Sequence, residues 1–144
     1  MKTQKKRMRI IANLLVIVLA FGYTATAANA ATARASDCIS SYSGGATRSK
    51  SGITVSFNIT ATGRMGTLGA GKVVIEKWTS NGWTPVYTFY SSSTSGMTGS
   101  NTAFYGSSVT YSGINSSDTY RGKISFYAED STKSDSRLLT TNSV

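Results

Sequence analysis

Apolar and polar residues alternate over positions 53–62, and no other pattern in the chain limits its possible folds as strongly. The apolar members are Ile53, Val55, Phe57, Ile59 and Ala61, and the polar members are Thr54, Ser56, Asn58, Thr60 and Thr62. Successive side chains of a β-strand point to opposite faces, so a period of two predicts a strand with one buried face and one wet face. A second segment predicts the same: Tyr120, Ile124 and Phe126 alternate with Arg121, Lys123 and Ser125. Gly122 falls on the apolar side of that segment, where a missing side chain leaves room for a bulky neighbour.

A hairpin is predicted between these two strands, with arms at Lys72–Thr79 and Trp83–Tyr90. A two-residue turn at Asn81-Gly82 would place Glu76 on the face that holds both tryptophans. A three-residue loop with a left-handed Gly82 instead places Glu76 on the opposite face of the hairpin from Trp83. The face with Trp83 then also holds Val73, Ile75, Tyr87 and Phe89. Burial of an unpaired carboxylate is expensive, which favours the three-residue loop.

Three further strands are expected, at Ile39–Arg48, Thr102–Tyr111 and Ser136–Thr141. The connections are rich in Gly, Ser and Asn, and the longest are expected at Gly63–Gly71 and Ser91–Ser100. About seven strands with a turn signal every eight to twelve residues are typical of an all-β fold, here a single antiparallel β-sandwich. Tyr120 opens the penultimate strand and resembles the tyrosine corner of immunoglobulin-like and fibronectin-type-III sandwiches, so the expected fold is immunoglobulin-like.

The N-terminus predicts export. Met1–Arg9 is basic, Ile10–Phe21 is apolar except for Asn13, and a small-residue site follows at Ala28-Asn29-Ala30. These three blocks are the marks of a signal peptide helix spanning residues 1–30 and cleaved after Ala30. The apolar run of about twelve residues is shorter than the roughly twenty that a spanning helix needs, so no permanent membrane anchor is expected. The protein is therefore predicted to be secreted, either released or loosely held at the cell envelope.

Removal of that segment leaves about 114 residues, enough for one domain, with a flexible stretch at 31–38 and the β-domain at 39–144. Five of the fifteen basic residues lie in the signal peptide, so the net charge of +9 falls to about +4. The remaining cations are scattered, and nucleic acid is not an expected partner. Cys38 is the one cysteine, so no internal disulfide can form, and intermolecular pairing of this thiol is the minority interpretation.

Short Gly- and Ser-rich motifs give the chain a resemblance to known proteins. They are Thr62-Gly63-Arg64-Met65 with Leu68-Gly69-Ala70, Ser95-Gly96-Met97-Thr98-Gly99 with Asn101-Thr102, and Ser134-Asp135-Ser136-Arg137. They resemble a family of small secreted bacterial proteins that carry a domain of unknown function, over about residues 39–141. The resemblance implies no catalytic residues.

Enzymatic chemistry has little support. The chain has no histidine, which removes histidine-based acid–base and nucleophile systems and ordinary zinc sites. Glu129 and Asp130 are adjacent and would point to opposite faces of a strand, which makes them a poor catalytic pair. No catalytic residue, metal site or cofactor is predicted, and the protein is not expected to be an enzyme.

Binding is the better-supported function class. The expected register leaves Trp78 and Tyr127 on outer faces, where aromatic rings can stack on sugars, while Met65 and Met97 fall in the two long connections. These four residues are the candidate binding residues, although the methionines are favoured as plugs beneath their loops. The sequence thus predicts a non-enzymatic module that binds a cell-surface glycan or a protein. The alternative is a structural component of a surface assembly, joined through edge-strand pairing.

Overall fold

The computed structural model describes residues 37–144, and the predicted signal peptide lies outside the described residues. Within this range the chain is all β, with six antiparallel strands in one curled sheet and no helix. The strands are β1 (Ile39–Ser49), β2 (Gly52–Thr79), β3 (Gly82–Tyr90), β4 (Thr98–Tyr111), β5 (Tyr120–Glu129) and β6 (Ser134–Thr140).

Strand β2 is 28 residues long and organises the whole sheet. Its first half, over residues 53–60, pairs with β1 on one edge and β4 on the other. Its second half, over residues 72–77, pairs with β5 on one edge and β3 on the other. Between them, Thr67, Leu68 and Gly69 pair with β4 and β5 at once. The two halves of β2 therefore belong to different parts of a sheet that curls through this central segment.

The predicted loop at Gly63–Gly71 is wrong, because this segment is part of β2. The strands predicted before and after this segment are therefore a single strand. The described residues contain six strands, where about seven were expected. The glycines that indicated a loop instead allow a strand to bend at this segment. Met65, Leu68 and Ala70 are all buried along it, so the segment contributes to the core.

Gly69 allows the bend. Its φ is +155°, and a Cβ placed there would collide with the Met97 carbonyl oxygen and lie 2.7 Å from the Cα of Thr98. The Ala70 N–H donates a 2.8 Å hydrogen bond to the same Met97 oxygen. The backbones of β2 and the start of β4 approach too closely for any side chain, which requires glycine at this position.

The core lies between the two halves of the curled sheet. The rings of Phe57 on β2 and Phe126 on β5 meet edge to face, with centroids 6.3 Å apart. Gly122 faces inward as predicted, since a Cβ there would lie 2.7 Å from Val55 Cγ2. The largest fully buried side chains are Phe57, Phe126, Ile39, Ile53, Ile59, Leu68, Ile75, Met97 and Ile124. Cys38 is also fully buried; it therefore belongs to the folded core rather than to a flexible N-terminal stretch.

Tyr120 ties β5 to the preceding connection. Its side chain is buried, and its hydroxyl accepts a 2.9 Å hydrogen bond from the Asn115 N–H. The Arg48 guanidinium lies over the Tyr120 ring and donates to the carbonyl oxygens of Asp118 and Asn115, each at 2.6 Å. The phenol thus bonds back to a backbone group five residues upstream.

The β2–β3 hairpin agrees with the sequence only in part. Gly82 is left-handed, with φ +96°, and Glu76 points away from the core with Trp78, both as predicted. The predicted three-residue loop is wrong, because Thr79 pairs with Gly82 and only Ser80 and Asn81 lie between the strands. The predicted place of Trp83 on the core face is wrong as well, because Trp83 pairs directly with Trp78 on the outer face. The register shifts between Ile75 and Glu76, which leaves Val86 as an extra residue on β3 and reverses the alternation at Pro85.

Candidate binding face

The outer side of the second half of the sheet carries most of the aromatic residues that the core does not use. We call this surface the aromatic face. It is formed by β3, the second half of β2, and β5. Its side chains follow from the strand register: Trp83 and Tyr90 on β3, Lys72, Val74, Glu76 and Trp78 on β2, and Arg121, Lys123, Ser125 and Tyr127 on β5.

One end of the aromatic face is built around the two tryptophans. The rings of Trp78 and Trp83 meet at 66°, with centroids 5.2 Å apart. The Arg121 guanidinium lies 4.2 Å from the Trp83 ring centroid, within cation–π range. Trp83 is thus fixed between a cation and a second ring, while Trp78 stays 55% exposed. The indole of Trp78 is therefore exposed, and the Trp83 ring beside it is held in a fixed position.

Glu76 fixes the cations beside the tryptophans. Its carboxylate accepts a 2.7 Å hydrogen bond from Arg121 Nε and lies 3.5 Å from Lys123 Nζ. The residue is only 5% exposed, so this carboxylate is buried beneath the side chains around it. Burial is acceptable here because β5 brings two positive charges opposite it. The high cost of burial predicted for Glu76 applies to an unpaired carboxylate. The carboxylate of Glu76 is paired, so that cost does not apply.

Two tyrosines form the other end of the face. Tyr90 is opposite Lys72 on β2 and is 52% exposed. Tyr127 on β5 pairs with Gly69 on β2, and a Cβ placed at Gly71 would lie 3.7 Å from the Tyr127 Cβ. A hydrogen bond to the Glu129 carboxylate, with a smaller contribution from desolvation, raises the pKa of Tyr127. At about 3.3 Å per residue, Lys72 lies roughly 20 Å along β2 from Trp78.

The outer side of the first half of the sheet is different in kind. We call it the polar face, formed by β1, the first half of β2, and β4. In register it presents Ser43, Gly45 and Thr47 on β1, Thr54, Ser56, Asn58 and Thr60 on β2, and Phe104, Gly106, Ser108 and Thr110 on β4. The hydroxyls of Thr54 and Thr110 are 2.8 Å apart. Phe104 is its one large apolar side chain in the described structure, and it is 58% exposed.

The four residues predicted from sequence are not brought together. Trp78 and Tyr127 share the aromatic face, at opposite ends of it. Met65 and Met97 are 2% and 1% exposed and pack in the core, where they cannot contact a ligand in this structure. Sequence reasoning missed Arg121, Trp83 and Tyr90 as members of the face. The signal for Arg121 was present, since it alternates with the buried residues of β5.

Residues 37–144 also bear on metal binding, membrane crossing and thiol chemistry. No cluster of three or more metal-ligating side chains occurs there, and that range has no helix long and apolar enough to cross a bilayer. Burial raises the pKa of the Cys38 thiol, which disfavours the reactive thiolate.

Searches of protein-family models, curated proteins and solved structures return no match for this chain. The resemblance to small secreted bacterial proteins stays an expectation, and the function has to be inferred from the side chains themselves.

Proposed function

We propose that this protein is an exported, non-enzymatic binding module that holds a carbohydrate on its aromatic face. One observation carries the proposal: Trp78, Trp83, Tyr90 and Tyr127 lie on a single outer face of the sheet, although the core lies on the other side. Isolated exposed aromatic residues are common on protein surfaces. Here two aromatic pairs lie at the two ends of one face with charged and hydroxyl groups between them, and such a grouping is more typical of a binding surface than isolated rings are.

The chemistry of this face suits a sugar. An aromatic ring packs against the C–H groups of a pyranose, and nearby donors bond its hydroxyls. Trp78 supplies an open ring, and Lys123 and Ser125 supply polar groups on the neighbouring strand. Arg121 and Trp83 restrain each other, so less side-chain entropy is lost when a ligand binds.

We also propose a β-sandwich architecture and a location outside the cell or at the cell envelope. The two facing halves of the sheet are interpreted as the layers of an immunoglobulin-like β-sandwich, supported by the Tyr120 corner. Export is supported by the signal-peptide pattern at residues 1–30. A secreted module of this kind would meet its ligand outside the cell or at the cell envelope.

The test is a glycan-array and isolated-cell-wall binding screen of the purified protein, with Trp78→Ala and Tyr127→Ala alongside. Phe104→Ala is the matched control, because Phe104 is as exposed as Trp78 but lies on the polar face. Loss of the Trp78 contact should weaken binding by about 1–3 kcal/mol, and Phe104→Ala should leave it unchanged. Absence of binding to every glycan and wall preparation would contradict the proposal, as would equal losses for Trp78→Ala and Phe104→Ala.

A further inference from the structure

Within residues 37–144, four strands of the sheet pair on one edge only, and three of the four unpaired edges are protected. On β1, the Asn142 side chain accepts from the Ala46 N–H and donates to the Ala46 carbonyl oxygen, both at 3.1 Å. On β3, Pro85 lacks an N–H and adjoins the bulge at Val86. On β6, Arg137 and Asp135 form a 2.6 Å ion pair. A backbone-mimicking cap, a proline bulge and edge charges are all features that block pairing with another strand.

Strand β4 has none of these features over residues 105–111. Its fourteen residues, Thr98–Tyr111, include no charged residue and no proline. Charged side chains at a strand edge discourage pairing with another strand, but Lys50, Arg121 and Lys123 do not lie on β4.

The register shows which backbone groups of β4 face outward. Because Ala46 directs its N–H and carbonyl to Asn142, it forms a non-hydrogen-bonded pair with Val55. Val55 must then direct its own backbone groups to the other side, to Val109 on β4. Alternation along an antiparallel strand makes the backbone groups of Phe104, Gly106, Ser108 and Thr110 face away from β2.

The Thr102 hydroxyl bonds the backbone of the first of these residues, Phe104. This hydroxyl donates to the Phe104 carbonyl oxygen at 2.7 Å and lies 3.3 Å from the Phe104 nitrogen. The open stretch of the edge is therefore Gly106, Ser108 and Thr110, and all three residues are exposed.

We propose that this edge binds the β4 edge of a second copy of the chain, antiparallel and centred on Ser108. A two-fold axis through Ser108 sets Ser108 against Ser108 of the second copy and Gly106 against Thr110. The three matched rungs would form about six backbone hydrogen bonds. The result is one continuous sheet through both copies.

A second copy fits this edge because the edge is self-complementary in that register. Between the hydrogen-bonded rungs, Tyr105 falls opposite Tyr111 of the second copy, and Ser107 falls opposite Val109. Cross-strand aromatic pairs stabilise antiparallel sheets, and with no charge on either strand nothing repels. This proposal is independent of the carbohydrate proposal, because β4 contributes to the polar face.

Sedimentation equilibrium of the protein purified from cells expressing the full chain tests the proposal. The wild type should show a concentration-dependent dimer. Ser108→Pro removes the central outward N–H without breaking a bond to β2, and should give a monomer. Ser108→Lys places two like charges at the two-fold axis and should raise the dimer dissociation constant at least about tenfold.

Ser56→Lys is the matched control. Ser56 is paired with Ser108 on the same face but lies on a central strand, so this variant should still dimerise. Circular dichroism identifies any variant that does not fold, and Ser108→Lys decides the question if Ser108→Pro is one of them. A wild type that stays monomeric up to about millimolar concentration, a regime in which even a weak complex forms, would overturn the proposal. So would a folded Ser108→Lys protein that dimerises as strongly as the wild type.

Discussion

The two halves of β2 bury similar residues on their inner sides and present opposite chemistries on their outer sides. Inward, Ile53, Val55 and Phe57 of the first half match Val73 and Ile75 of the second, and all are buried. Outward, the polar face carries hydroxyl and amide groups, whereas the aromatic face carries indole and phenol rings, a buried carboxylate and cations.

The core requirement is the same for both halves, so it does not explain the difference between the outer faces. A solvated outer face needs only polar side chains for folding, and the polar face shows that serine and threonine meet this need here. The aromatic face also carries exposed rings, Trp78 and Tyr90, which a solvated outer face does not need for folding. These exposed rings are the reason that we propose binding at the aromatic face.

The largest expected effect comes from breaking the bend that separates the two faces. Gly69→Ala forces a Cβ against the Met97 carbonyl at a backbone angle that disfavours side chains. We expect a loss of about 3 kcal/mol or more in the free energy of unfolding, because overpacking and backbone strain add. Urea denaturation measures it.

Gly63→Ala is the control for that experiment. Gly63 lies on the same strand, and a Cβ there would meet nothing within 4 Å, so stability should change by no more than about 0.5 kcal/mol. Equal effects of the two substitutions would show that β2 does not depend on a close approach at Gly69.

A smaller effect is expected from neutralising the carboxylate of the aromatic face. Glu76→Gln leaves Arg121 and Lys123 without their counter-charge and should cost about 1–3 kcal/mol of stability. Ser56→Ala, at the centre of the polar face, should change stability by less than about 0.5 kcal/mol. Denaturation midpoints compare the two, and an unaffected Glu76→Gln protein would mean that the ion pairs do not support this face.

The smallest effect concerns the turns that join strands in each half. In the β5–β6 turn, hydrogen bonds from the backbone and hydroxyl of Thr132 and from the Lys133 backbone hold the pKa of Asp130 below its ordinary value of 3.8. A lowered folded-state pKa means that this stabilisation is present above pH 3.8 and is lost as the pH falls through the folded value. In the β1–β2 turn, the corresponding acceptor is the Ser49 hydroxyl, which does not titrate.

Amide chemical shifts recorded by NMR from pH 6 to pH 2 distinguish the turns. The Thr132 amide should shift at the acid end, and the Ser51 amide should not. A Thr132 amide that does not respond to pH would contradict the role given to Asp130.

Structural features that are determined by residues near each other in the sequence could be predicted, and features that depend on distant segments could not. The inner faces of β2 and β5, the left-handed Gly82 and the place of Gly122 follow from alternation and glycine chemistry, and the structure confirms them. The single long β2 was missed because its bend depends on the approach of Met97 and Thr98 from a distant segment. Trp83 was misplaced because the bulge at Val86 reverses the alternation, and no periodic pattern reveals a single extra residue.

The candidate site was predicted only in outline for the same reason. Trp78 and Tyr127 could be assigned to an outer face from their own strands. Arg121 and Glu76 form a pair only through the β2–β5 register, which joins residues 45 positions apart along the chain.

NMR mapping of a bound cell-wall glycan tests directly whether the aromatic face is the binding surface. Amide shifts should change across residues 72–78, 83–90 and 121–127, which form the aromatic face. Residues 54–60 and 104–110 of the polar face should stay unchanged. Changes centred on the polar face, or none at any glycan concentration, would contradict the assignment of binding to the aromatic face.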